Sequence, residues 1–156
     1  MKSLFKKKSM WGLFFLVLIY VSIVSVSCMS SPKNIGIVDG KLQPCPDSPN
    51  CVSSQSKSED HKVLPLTYVG DAQSAKDRLK KAISHIPRMT VVTENDNYIH
   101  AEAVTLILRF VDDCEFLIDD ENKVIHVRSA SRLGHSDFGV NRKRVENIRK
   151  EFEAMK

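Results

Sequence analysis

The stretch Val127–Arg142, VRSASRLGHSDFGVNR, places Arg128, Arg132, Arg142, His135, Asp137, Asn141 and the serines Ser129, Ser131 and Ser136 within sixteen positions. Ile125 and Val127 alternate into it as a strand ending near Ser129. Beyond it, Asn141, Val145, Ile148, Phe152 and Met155 share one face of a helix over about Phe138 to Ala154, with Ser136 or Asp137 as its N-cap. The connecting loop has only Leu133 and Phe138 as large apolar residues. So many hydrogen-bonding groups there either pin the last helix to a sheet or line a binding site.

Upstream, Met89–Thr93 turns through Glu94-Asn95-Asp96-Asn97 into Tyr98–Ala103, and Cys114–Ile118 turns through Asp119–Lys123 into Val124–Ser129. Val104–Val111 reads as a continuation of the second of these strands, with Val104, Leu106, Leu108 and Phe110 alternating inward. Val63–Val69 is a short strand, marked as an edge by Pro65. Asp71 caps a helix to Ser84 with Ala72, Ala75, Leu79, Ala82, Ile83 and Ile86 on one stripe, and Pro87 stops it. The expected fold is α+β: one antiparallel sheet of about five strands, two helices on one face, in the order β-α-β-β-β-β-α. It occupies residues 43–156 as a single domain.

The N-terminus carries a different signature. Lys2, Lys6, Lys7 and Lys8 precede an apolar run, Trp11–Val24, and then Ser25-Val26-Ser27-Cys28. This resembles a bacterial lipoprotein signal over residues 1–27, with Cys28 lipidated, although Ser25 stands where such signals usually carry leucine. An uncleaved signal anchor is the alternative, less favoured because an anchor needs no cysteine there. Met29–Leu42 has no apolar period, so residues 28–42 read as a tether. Either way the domain is tied to a membrane and faces an extracytoplasmic space.

Removing the four leader lysines from the 23 basic residues leaves 19 against 19 acidic ones, because the leader holds no acid. A neutral domain removes the main support for nucleic-acid binding. Cys45 and Cys51 flank a loop bent by Pro46 and Pro49 and are placed to form a disulfide in an oxidising compartment, while Cys114 reads as a buried thiol. A zinc site from Cys45, Cys51 and His61 is disfavoured, since zinc cysteines usually stand two to four residues apart.

CPDSPNCVSS at 45–54, RFVDDCEF at 109–116 and RSASRLGHSDFGVNRKRVE at 128–146 resemble, in that order, the uncharacterised family catalogued as domain of unknown function 1499. The resemblance covers about Leu42 to Phe152, and Cys114 departs from the small aliphatic residue expected there. It implies no activity, but it makes the motif residues the best candidates for any site.

Strand parity then groups the candidates. With Phe116 facing the core, Asp113 and Glu115 face outward beside Arg109, and a hairpin at Glu121-Asn122 sets Glu115 opposite Arg128 as a solvated ion pair. The first reading is a structural network in which Arg128, Asp137 and Arg142 lock the last helix, with Asp137 also accepting from an arginine and Asn141 bonding inward. The second is a pocket in which Arg128, Arg132 and Arg142 converge on a small anionic ligand. The third, a hydrolase-like enzyme, draws on Ser129, Ser131, Ser136, His126, His135 and Asp137, yet no nucleophile elbow, HExxH, P-loop or dinucleotide motif accompanies them. Asp112 and Asp113 point to opposite faces and so make a poor metal pair. No catalytic residue, metal or cofactor is expected. The reading favoured is a membrane-tethered lipoprotein of the cell envelope acting as a structural or interaction module, whose partner is the membrane and either an envelope protein or a small anionic ligand.

Overall fold

The computed structural model describes residues 12–22, 31–32 and 34–155 of the 156. Residues 12–22 form helix α1, and its apolar side chains from Leu13 to Val21 are exposed. Among the described residues no helix is long and apolar enough to cross a membrane. Cys28, and with it the lipidation and cleavage expected there, lies outside the described residues.

The remaining elements follow as β1 (Ile37–Val38), β2 (Lys41–Leu42), β3 (Cys51–Ser53), β4 (Leu66–Thr67), α2 (Ala72–Ser84), β5 (Met89–Glu94), β6 (Tyr98–Val104), β7 (Val111–Asp119), β8 (Val124–Ser131) and α3 (Val140–Ala154). The α+β class and the antiparallel sheet are as the sequence implies, but the sheet has six strands rather than about five. Its order is β3-β8-β7-β6-β5, and the short β4 lies along the same edge of β8 as β3, farther down. Ile99, Ala101, Cys114, Phe116, Ile125 and Val127 share one buried cluster with Leu79 and Ile83 of α2 and with Val145, Ile148 and Phe152 of α3. Both helices therefore cover the same face of the sheet. Helix α2 begins as expected, with Asp71 accepting from the Ser74 N–H at 2.8 Å and from its hydroxyl.

Four local expectations are corrected. The first concerns Val104–Val111: β6 stops at Val104, and Leu106 and Leu108 are exposed rather than inward, as is Ile107 between them. Thr105 N–H donates to the Phe110 carbonyl and Phe110 N–H to the Thr105 hydroxyl, so the chain closes a tight connection, with Arg109 in left-handed backbone. Period-2 alternation alone cannot distinguish a strand from an apolar turn, because only the pairing of Val104 with Val111 ends the ladder. The second is the tether, whose last part is structured. Asp39 and Gly40, at φ 50° and 74°, make the two-residue turn of the β1–β2 hairpin, and Leu42 is buried against Tyr98 and Leu117.

The third is β3, hidden in the sequence behind the prolines of 44–49. It pairs with β8 in the register Cys51↔Ala130, Val52↔Ser129 and Ser53↔Arg128, and Cys51 is disulfide-bonded to Cys45 as expected. The fourth is α3, which starts at Val140 rather than Phe138, because Gly139 takes the cap position in left-handed backbone.

The disulfide closes a loop of the size for which chain entropy contributes about 2 kcal/mol. Replacing both Cys45 and Cys51 by Ser is expected to lower the urea-unfolding free energy by about that amount. Cys114, fully buried and with its thiol pushed up to about 11 by burial, is expected to resist alkylation in the folded protein and react only on unfolding.

Candidate functional site

β7 controls the site because it places acids on both faces. Asp112 shares the core parity of Cys114 and Phe116, whereas Asp113 and Glu115 point to the opposite face. That opposite face is not solvated where they lie: Glu115 is 0% exposed and Arg128 2%. The expected pairing of Glu115 with Arg128 is present, with Nη1 donating to Oε2 at 2.8 Å, but it is a buried ion pair, not a surface one. The difference comes from the structured end of the tether. Gly36 N–H donates to Glu115 Oε1 at 2.6 Å, the Tyr98 hydroxyl donates to the same oxygen at 2.8 Å, and β2 lies against β7 and β8.

A second group on this face centres on Asp113. Arg132 donates Nε and Nη2 to its two oxygens at 2.9 and 2.7 Å, and Nη2 also bonds to Glu102. His100 Nε2 lies 2.7 Å from Asp113 Oδ1. Burial opposes the charge on Asp113, but the His100 and Arg132 bonds outweigh it and hold the carboxyl below its ordinary range. Asp113 in turn raises the Arg132 guanidinium. His100, Glu102 and Asp113 offer donor atoms within 4.8 Å of one another, as a metal site would. Arg132 bonds to both carboxylates, so a cation there would have to displace a guanidinium already bound twice to Asp113.

The third group joins the core face to the last helix. Arg144 Nη2 donates to Asp112 at 2.5 Å, and its Nη1 donates to Ser129 Oγ at 3.1 Å and to Asn141 Oδ1 at 2.5 Å. The Ser129 hydroxyl donates to Asn141 Oδ1 at 2.6 Å and accepts from the Cys114 thiol at 3.1 Å. Asn141 Nδ2 donates to the Asn50 carbonyl and to Ser131 Oγ, both at 3.0 Å. Asn50 passes the connection on, donating to the Gly134 carbonyl at 2.6 Å.

These groups separate the expected residues. Arg128 does not reach the last helix; it faces Glu115 on the far side of the sheet. Arg142 does hold α3, but by donating to the Asp60 and Lys62 carbonyls at 2.7 and 2.6 Å. Asp137 accepts from the Gly139 and Asn141 N–H groups at 3.0 and 2.7 Å, which caps the helix from two residues before its formal cap position. Arg128, Arg132 and Arg142 thus have separate partners and do not converge on one pocket. Arg109 and Ser136 are exposed on the loops after β6 and β8. The residues missed by sequence reasoning are Arg144, Asp112, His100, Glu102, Tyr98 and Asn50. Arg144 was visible in principle, since it sits between Asn141 and Ile148 on the inward stripe, and Asp112 shares core parity with Phe116.

The serines and histidines grouped above as hydrolase candidates are not assembled, since Ser129 and Ser131 belong to the Asn141 group and His135 is exposed. A different alignment exists. Ser54 Oγ is 3.3 Å from His126 Nδ1, and His126 Nε2 is 3.8 Å from Asp119. Ser54 Oγ also accepts the Val127 N–H at 2.9 Å, and burial holds His126 below its ordinary value despite Asp119. Neither Ser54 nor His126 lines either of two clefts found among the described residues, a polar one of about 830 Å³ beside the disulfide and an apolar one of about 590 Å³ between the 105–110 connection and the loop from β8 to α3. The polar cleft is bordered by Lys41, Gln55, Lys57 and His61 and contains none of the arginines.

Over residues 41–152 the sequence matches the family described as protein of unknown function (DUF1499). The chain belongs to that family. The matched span begins at β2 and ends in α3, so it holds the whole six-stranded sheet and, apart from Gly36, the three polar groups. No curated protein and no solved structure matches the chain.

Arg144→Ala would leave Asp112 buried without its counter-charge, and is expected to cost about 3–5 kcal/mol in urea unfolding. Arg109→Ala, on an exposed turn, should stay within about 0.5 kcal/mol of the parent. Asp113, whose folded value is depressed, contributes stability that is present above the unfolded carboxylate range near pH ~4 and is lost as pH falls through the folded value. Asp113→Asn is therefore expected to be less stable at neutral pH and to lose less on acidification below about pH 4, as followed by circular dichroism.

Proposed function

We propose that the chain is a lipoprotein of the cell envelope, held at a membrane through Cys28, whose DUF1499 domain acts as a non-catalytic structural or interaction module. The observation that carries the role is the engagement of the arginines. Arg128, Arg132 and Arg144 are bound to carboxylates of the sheet, and Arg142 to the backbone carbonyls of Asp60 and Lys62. An anionic ligand at these groups would have to displace partners already in place, buried ones at Arg128, Arg132 and Arg144. The compartment is supported by the Cys45–Cys51 disulfide, a bond that persists where the surroundings are oxidising. The anchor is supported by the lysine-rich start, the apolar run to Val24 and the small residues before Cys28.

Mass spectrometry of the protein extracted from membranes is expected to find Cys28 as the N-terminal residue carrying a diacyl group. Cys28→Ser should stay unprocessed. An intact Met1 with an unmodified Cys28 would replace the lipoprotein by a signal anchor. For the role, Arg128→Ala is expected to cost about 3–5 kcal/mol. A change of less than about 0.5 kcal/mol, the range of ordinary surface substitutions, would show that Arg128 is not structural.

A further inference from the structure

The apolar cleft lies where the 105–110 connection meets the loop from β8 to α3. Leu106 and Ile107 are each 67% exposed, Phe138 is 96% exposed, and Leu108 and Val140 continue the same surface. Single exposed apolar side chains are ordinary, but two loops that present five of them around one groove form an interaction surface. Phe138 stands in left-handed backbone at φ 54°, a conformation L residues rarely adopt, and packing does not account for it because its ring lies in solvent.

Two connections bring the chain's hydrophobic anchor to this surface. The Tyr20 hydroxyl of α1 donates to the Ile107 carbonyl at 3.2 Å, so the apolar helix ends against the loop itself. Cys28 follows six residues after Ser22, a reach of no more than about 20 Å. On its other side Cys28 stands eight residues before Gly36, which is bonded to Glu115, a reach of no more than about 28 Å. An uncleaved helix would thus enter the bilayer beside the same loops, and a lipid on Cys28 would be tethered within about 28 Å of Gly36. The exposed charges at this edge suit a phospholipid surface. Arg109 lies on the 105–110 connection, and Arg88 donates its Nε to the Val104 carbonyl at the root of that connection. Apolar side chains at the acyl boundary flanked by arginines at headgroup level are the composition of an interfacial segment.

We propose that the 105–110 and 133–140 loops form a membrane-docking face, which seats Phe138, Leu106 and Ile107 at the headgroup–acyl boundary with Arg88 and Arg109 on anionic headgroups. The proposal rests on the membrane anchoring argued above and adds an orientation to it: the domain lies on the bilayer by this end of its sheet.

The test uses the full chain carrying Phe138→Trp with Trp11→Phe, which leaves a single indole at the docking face. It is extracted from membranes and reconstituted into phosphatidylcholine–phosphatidylglycerol vesicles with ordinary or brominated acyl chains. The chain is expected to float with the vesicles, and its emission should be blue-shifted and fall by at least half with brominated lipid. Adding Ile107→Asp should remove most of that quenching while flotation persists through the anchor. Flotation with equal emission in both lipids would overturn the docking and leave the anchoring intact. A blue shift without bromine quenching would assign the patch to a second copy or another protein, and also overturns it. A chain that does not float removes the anchoring reading and the docking with it.

Discussion

Glu115 carries a carboxylate at the centre of the sheet with no solvent contact, and much of the fold is arranged to make that tolerable. A buried ion without a counter-charge costs several kcal/mol even after relaxation. Here β8 supplies Arg128 from the directly opposed position, β6 supplies the Tyr98 hydroxyl, and the segment before β1 supplies a backbone N–H. Register is thereby tied to charge. A one-residue slip of β8 would move Arg128 to the core face and bring Val127 opposite an unmatched carboxylate.

The same constraint recurs along β7. Asp113 is matched by Arg132 and His100, and Asp112, on the core face, by Arg144 from α3. The Asp112 pair differs in kind, because it connects layers rather than strands. Val145, Ile148 and Phe152 bury the helix, but hydrophobic contact is non-directional and leaves its rotation and axial position loosely defined. Arg144 and Asn141, one turn apart, reach Asp112, Ser129, Ser131 and the Asn50 carbonyl, which specifies both. Asn50 precedes the disulfide cysteine, so the group also ties the disulfide loop to the start of α3.

With most of the interior polar groups engaged in this way, two clefts among the described residues remain open to other molecules. The polar cleft beside the disulfide mixes lysines, aspartates and a histidine, while the cleft between the 105–110 and 133–140 loops is apolar with arginines near it. Cys51 pairs with Ala130, next to the Ser131–Asp112 pair that borders the apolar cleft, so the disulfide lies toward the same end of the sheet as the apolar loops.

The amphipathic stripe of α2, its Asp71 cap, the apolar face of α3, the alternation of β6 to β8 and the opposition of Glu115 to Arg128 were all legible from residue order, because each depends on local periodicity or a short hairpin. The disulfide was legible from spacing and prolines. The Asp39-Gly40 hairpin carried a turn signal, but nothing local says that two residues on either side of it will find a sheet. Three matters were decided only in three dimensions. Leu106 to Leu108 alternate like a strand, yet pairing ends at Val104 and leaves them in solvent. The three arginines of Val127–Arg142 lie close in sequence, yet Arg128 and Arg132 meet different carboxylates on one face of the sheet, and the turn into α3 takes Arg142 to separate partners. Parity correctly put Glu115 on the face away from the helices, but whether that face is wet depends on a segment almost eighty residues earlier in the chain, joined to it by the Gly36–Glu115 bond. Periodicity reports which way a side chain points; only the packing of distant segments decides what it meets there.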